Sequence, residues 1–222
     1  LLTWQTILFI EKMEKLSASL RPREKQRGSV DLIFNEGLKL LENVHNFSEF
    51  WQARRTILQK FSQLKIQPGL KVPKVGIIGE IYTVCDPAIN FDIERKLGQE
   101  GIEVHREITL SYHLTKKFLF ADWRIHHRIK KYIQSSVGGH GRDAIYEMLK
   151  FIKKGFDGII QLLPAFCMPE TTVRPILEKI HQETNIPFLS LSLDEQVAEA
   201  GIDTRIEAFV DVVKNYYATK KT

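Results

Sequence analysis

The spacing of apolar residues changes character once along this chain, near residue 70. Before that point it is helical: Val30, Phe34, Leu38 and Leu41 recur every three or four positions, as do Phe47, Phe50, Trp51, Ile57 and Leu58. Arg21-Pro22-Arg23 and Gly28-Ser29 divide this stretch into separate helices. Gln67-Pro68-Gly69 and Pro73 then read as a linker. Beyond it, short apolar runs alternate with helical patterns. Lys74–Gly79 reads as a buried strand ending in glycine. Asp86 and Pro87 predict the opening of a helix striped by Ile89, Ile93 and Leu97 and stopped at Gly101. Residues 102–105 alternate, as a strand nearer an edge does, and 111–136 predict one long basic helix or a pair.

After Gly138-Gly139-His140-Gly141, a helix carries Ile145, Met148, Leu149 and Ile152. The run Phe156-Asp157-Gly158-Ile159-Ile160-Gln161-Leu162-Leu163 then predicts a buried strand, with Pro169 opening the next helix. A fourth strand lies within 185–193, and Thr204 with Glu207 matches a capping box for a final helix.

Strands alternating with helices imply a mainly parallel sheet covered on both faces. Right-handed crossovers place the loops after the first, third and fourth strands along one edge. Those loops carry Glu80, Tyr82 and Cys85; Cys167 and Glu170; and Asp194, Glu195 and Gln196. Ligands bind at that edge in open α/β sheets, and Cys167 falls in such a strand-to-helix turn. It is the most informative single residue. Residues 1–70 read as a helical segment and linker, the end of an upstream domain, and 71–218 as the α/β domain. The chain starts at Leu1 in what reads as mid-helix, and the expectation is a piece of a longer protein.

Composition narrows the class. Of 222 residues, 43% are hydrophobic and 27% charged, a globular balance, and no apolar run reaches the roughly 18 residues of a membrane span. Two cysteines are too few for a disulfide framework, which makes the cytoplasm the expected compartment. The formal charge of +5 is mildly basic and concentrates within 116–131, around Arg124, His126, His127, Arg128 and Lys130. That stretch reads either as a solvated helix face or as a docking face for an acidic partner, a CoA phosphate or nucleic acid. Nothing else resembles a nucleic-acid module.

Neither a P-loop nor a dinucleotide fingerprint is present. Three readings of the cysteines stay open: packed thiols, thiolate ligands of an iron–sulfur cluster, or a Cys167 nucleophile with His140 as its base. The glycine-rich turn at 138–141 reads as a hinge, a close approach of backbone to a ligand, or a simple turn. Asp194, Glu195 and Gln196 suit either acid/base work or the dipole of a helix start.

Taken together, several segments resemble a known family. They are Gly79-Glu80-Ile81-Tyr82, Asn90, Val137-Gly138-Gly139-His140-Gly141, Gly155-Phe156-Asp157-Gly158-Ile159-Ile160, the run Leu163-Pro164-Ala165-Phe166-Cys167-Met168-Pro169-Glu170, Asp194-Glu195-Gln196, and Thr204-Arg205-Ile206-Glu207-Ala208-Phe209. They look like the C-terminal part of acyl-CoA dehydratase activase-related proteins, which group with 2-hydroxyacyl-CoA dehydratase and benzoyl-CoA reductase components. Arg21-Pro22-Arg23-Glu24 is similar to the family's Arg-Pro-Tyr-Glu, with Arg23 in place of Tyr.

The resemblance implies a flavodoxin-like parallel sheet with helices on both faces, preceded by a helical segment. It implies an iron–sulfur component, of the four-iron type, that takes an electron from an ATP-hydrolysing activator and acts in lyase or reductase chemistry on CoA thioesters. Cys167 matches a cluster-ligating cysteine; Cys85 lies where relatives need no cysteine. The family's other cysteine-bearing segments are missing, so further ligands are expected from an upstream domain or a homologous component. Glu80, Tyr82 and His140 are placed around the cluster or at the substrate mouth. The alternative is a cluster-less binding or regulatory module of a larger protein.

Overall fold

The computed structural model describes residues 1–115, 121–135, 137–194 and 198–220, the side chains of 121–124 apart. They form two compact units, Leu1–Val72 with Glu94–Glu103, and Pro73–Ile93 with Val104–Thr222.

The first unit is built on α1 (Leu2–Leu20), a 3-10 turn at Arg21–Arg23, α2 (Ser29–Glu42) and α3 (Phe47–Ser62). Their apolar stripes meet in a core of Phe9, Met13, Val30, Leu41, Phe50, Ile57 and Phe61. The Arg-Pro-Arg-Glu segment is structural. Arg21 pairs with Asp31 at 2.8 Å and Arg23 with Glu103 at 2.6 Å. Glu24 accepts the N–H groups of Gly28 at 2.7 Å and Val30 at 2.9 Å, satisfying donors at the start of α2. Asn46 caps α3 by accepting the Glu49 N–H, and the Glu49 carboxylate reaches back to the N–H of His45.

The second unit follows the predicted alternation. Its elements are β1 (Lys74–Gly79), α4 (Ile81–Cys85), α5 (Ile93–Gln99), β2 (Glu103–Arg106), α6 (Leu110–Thr115), α7 (Ala121–Ile129), α8 (Gly141–Lys153), β3 (Gly158–Pro164), α9 (Met168–Thr184), β4 (Phe188–Leu193) and α10 (Glu199–Thr219). All but the last six residues of α5 and the first residue of β2 fall within that unit. The strand order is β2-β1-β3-β4, and β3 pairs in parallel with both neighbours. This all-parallel sheet has the flavodoxin-like order, with its switch point between β1 and β3.

Both faces are covered. A side chain at Gly76 would run into Phe151 of α8, at 2.4 Å, whereas one at Gly158 would meet Val213 and Phe209 of α10, at 2.7 and 3.0 Å. Val75 stands opposite Gly158 in the register and shares its face, so α8 and α10 lie on opposite sides. Phe151 is fully buried over Gly76 and stacks against Phe156 with ring centres 4.6 Å apart. Phe151→Ala opens a cavity at the sheet and is expected to cost about 3–5 kcal/mol in urea denaturation; a loss below about 1 kcal/mol would show that the α8 face is not packed this way.

Two predicted helix starts are corrected. Asp86 opens no helix: it follows α4, and its carboxylate accepts the N–H of Ala88 at 2.9 Å in a local turn. Phe91 and Asp92 then take left-handed backbone, and α5 begins only at Ile93, whose N–H bonds the Asn90 side chain. Thr204 and Glu207 are not a capping box, because α10 already runs from Glu199. Thr204 instead bonds the carbonyl of Ala200, a turn back, at 2.9 Å.

Candidate functional site

The carboxyl ends of β1, β3 and β4 open on one edge, and the turns leaving them are fixed by short-range chemistry. Gly79 ends β1 with φ 132°, where a Cβ would lie 1.9 Å from the carbonyl oxygen of Leu162 on β3. That carbonyl accepts the N–H of Glu80 at 3.0 Å and the hydroxyl of Thr83 at 3.2 Å. Glu80 turns back to accept the N–H groups of Tyr82 and Thr83 at 2.9 and 3.0 Å, capping α4. Tyr82 points away from the core, 60% exposed. Asn90 is buried, and its amide donates to the carbonyls of Thr83 and Val84, so it fastens the end of α4.

Cys167 lies where the sequence places it. It is the N-cap residue of α9, its N–H bonded to Pro164 at 3.0 Å and its carbonyl receiving Thr171 at 2.9 Å. Its neighbours in the chain, Phe166 and Met168, stand 94% and 72% exposed. Burial pushes the thiol above its ordinary value; the N–H of Glu170 opposes this, and the carboxylates of Glu170 and Glu80 add to it. That is the reverse of what a nucleophile requires.

Glu170 is fully buried in the first turn of α9 and accepts the Gln161 amide at 2.9 Å; Gln161 in turn accepts the Ser190 hydroxyl at 2.9 Å. Burial raises Glu170 to about 7, with Glu80 and Asp143 contributing. Sequence reading placed Glu170 at this edge but missed Gln161, which looks like one more residue of an apolar strand.

The glycine-rich turn is a site of close approach between two parts of the protein. Gly138 and Gly139 have positive φ, and side chains at Gly139 and Gly141 would meet Pro169 at 3.0 and 2.7 Å. The turn thus lets the starts of α8 and α9 abut. His140 precedes α8, and its Nε2 lies 3.1 Å from Nδ1 of His113 on α6. Cys85 is held by the segment after β2: its sulfur bonds the Ile108 carbonyl at 3.7 Å and receives Arg106 at 3.3 Å. Glu195 and Gln196 lie outside the described residues. On α7, Ile125 and Ile129 are buried while His126, His127 and Arg128 are exposed, the pattern of a solvated helix face.

The geometry joins Glu80, Cys167 and Glu170 at the switch-point edge and puts the His140 turn beside them. Among the described residues, no group of three or more His, Cys, Asp or Glu side chains is disposed to hold a metal ion. One thiolate does not make a four-iron site, which takes about four; these residues alone do not fit a cluster. No helix among the described residues is long and apolar enough to cross a membrane. A comparison with curated proteins finds no match. Residues 128–213 match the family model described as 2-hydroxyglutaryl-CoA dehydratase, D-component, a span that holds His140, Cys167 and Glu170 but not Glu80, Tyr82 or Cys85. By that match, the C-terminal part of the chain is related to the 2-hydroxyacyl-CoA dehydratase family.

Proposed function

We propose that this chain is part of an iron–sulfur component related to the 2-hydroxyacyl-CoA dehydratases, with Cys167 supplying one thiolate to a cluster whose other ligands come from a further segment or a homologous partner. The observation that carries the reading is the position of Cys167: N-cap of α9, at the switch-point edge, inside the matched span. The exposed Phe166 and Met168 suit a thiol that meets another polypeptide rather than water. A four-iron cluster would supply low-potential electron transfer, driven by an ATP-hydrolysing activator and directed at a CoA thioester. This chain's own part is to hold a sulfur at a rigid sheet edge and surround it with Glu80, Glu170 and Tyr82. The raised thiol fits such a role, because a bound metal ion, not the protein, supplies the charge that removes its proton. The exposed side of α7 offers a docking face for the activator.

A second reading has its own observation. The described residues lack a complete ligand set, as a binding or regulatory module that has lost its cluster would. Alkylation separates the two. Anaerobic reconstitution with iron and sulfide, in the presence of the segment or partner proposed to supply the other ligands, is expected to protect Cys167 from iodoacetamide while Cys85 keeps its labelling rate, read by peptide mass spectrometry. Equal labelling of Cys167 before and after reconstitution would favour the module.

A further inference from the structure

Gln161 is fully buried in the middle of β3, with Ile159 and Ile160 before it and Leu162 and Leu163 after it. A glutamine in that setting must find partners for the polar atoms it buries. It finds them in two directions. Its carbonyl oxygen accepts the hydroxyl of Ser190, its register partner on β4, at 2.9 Å. Its amide nitrogen has two protons to give and two acceptors within reach, both on Glu170: the carboxylate at 2.9 Å and the main-chain carbonyl at 3.2 Å.

This arrangement holds more than a side chain. Glu170 stands in the first turn of α9, three residues after Cys167, and its N–H is near enough to the thiol to act on it. Gripped by carboxylate and carbonyl together, Glu170 cannot slide along the sheet or turn about the helix axis without breaking a bond. Cys167 belongs to the same turn, its carbonyl receiving the N–H of Thr171. The chemistry demanded of residue 161 is narrow. Two donors on one atom, facing two acceptors, are what an amide supplies. A glutamate would set oxygen against oxygen, and an apolar residue would strand both acceptors.

As a device for stability the network is poor. Apolar residues of similar shape hold a core at least as well as buried polar ones. The second carboxylate oxygen of Glu170 is itself buried with no hydrogen-bond partner among the described residues. What a polar link of fixed direction adds is geometry, the contribution of groups that stand behind a ligand and orient it.

We infer that Gln161 is a positioning residue: by holding Glu170 at two points it fixes the first turn of α9, and with it the place of the Cys167 sulfur at the sheet edge. That the sulfur so placed is a cluster ligand rests on the reading given under Proposed function; that Gln161 places it does not.

The pH profile of iodoacetamide labelling at Cys167, read by peptide mass spectrometry in this chain without iron, tests the inference. Each profile separates the ionisation of the thiol from the rate constant of its thiolate, and the rate constant reports how the sulfur is held. Gln161→Met keeps the shape and removes the link. Its Cys167 thiolate is expected to label about tenfold faster than wild type, the effect of two lost hydrogen bonds on a local opening, while Cys85 keeps its rate. The double variant Gln161→Met with Glu170→Met strands neither side chain of the pair. Its urea midpoint is expected to return toward wild type while Cys167 stays fast.

An unchanged Cys167 rate constant in Gln161→Met would overturn the inference. So would a fast single variant whose rate falls back in the restabilised double variant, because the network would then serve stability alone. Should neither Gln161 variant fold, Ser190→Ala, which frees the far end of the amide, decides: faster labelling at Cys167 but not at Cys85 supports the role, and equal labelling overturns it. Iron content, measured in wild type reconstituted with the segment or partner proposed to supply the other ligands, keeps the two readings apart. Fast labelling in Gln161→Met with no iron in wild type refutes the cluster and supports the positioning role. Unchanged labelling with stoichiometric iron refutes the positioning role alone.

Discussion

Gly79→Ala is expected to abolish the native form of the α/β unit. A Cβ at this position lies 1.9 Å from the Leu162 oxygen and 2.9 Å from the Leu162 carbon and nitrogen. Those are backbone atoms of the neighbouring strand, so no rotamer change relieves the clash. The backbone adds its own penalty, since φ 132° is a conformation that side-chain-bearing residues rarely adopt. To make room, β1 must leave β3 at the carboxyl edge. The Glu80 N–H and the Thr83 hydroxyl then lose their shared acceptor, and α4 loses its anchor.

The cost exceeds the roughly 4–5 kcal/mol that marks an exceptional substitution, against a total stability of about 5–15 kcal/mol for an ordinary protein. Urea unfolding followed by circular dichroism should show no cooperative native baseline, or a midpoint far below wild type. A variant within about 1 kcal/mol of wild type would mean that β1 and β3 do not meet as described.

The same residue shows where legibility in the sequence stops. That Lys74–Gly79 is a buried strand follows from its composition, and a glycine at its end is an ordinary terminator. That no other residue fits there depends on Leu162, 83 positions later, and local pattern does not carry such a distance. The order of strands and helices, the parallel sheet and the turn holding Cys167 were all readable, because periodicity and Gly/Pro punctuation are local signals. The starts of α5 and α10 were misread for a related reason. Asp and Thr offer their side chains to nearby backbone groups in turns and inside helices as readily as at caps.

The apolar residues Ile145, Met148, Leu149 and Ile152 mark a stripe on α8 that leaves out Asp143 and Glu147. The fully buried arc runs through Ala144, Ile145, Met148 and Phe151, and Asp143 and Glu147 fall within it. A carboxylate every fourth position inside a buried arc was a signal available from spacing alone. Glu80 was found for its place at an edge, but its task of capping α4 needed coordinates.

A sulfur at the switch point, in a span related to 2-hydroxyacyl-CoA dehydratases, leads to one decisive quantity: iron and acid-labile sulfide per chain. It should be measured after anaerobic reconstitution of this chain together with the segment or partner proposed to supply the other ligands, in wild type and Cys167→Ser. Serine keeps the size and the N-cap position, where it is a favoured residue, so the fold is preserved while the soft ligand is lost. The account predicts stoichiometric iron and sulfide with a charge-transfer spectrum in wild type and their loss in the variant. Equal iron and sulfide in both proteins, or none in wild type, would contradict it.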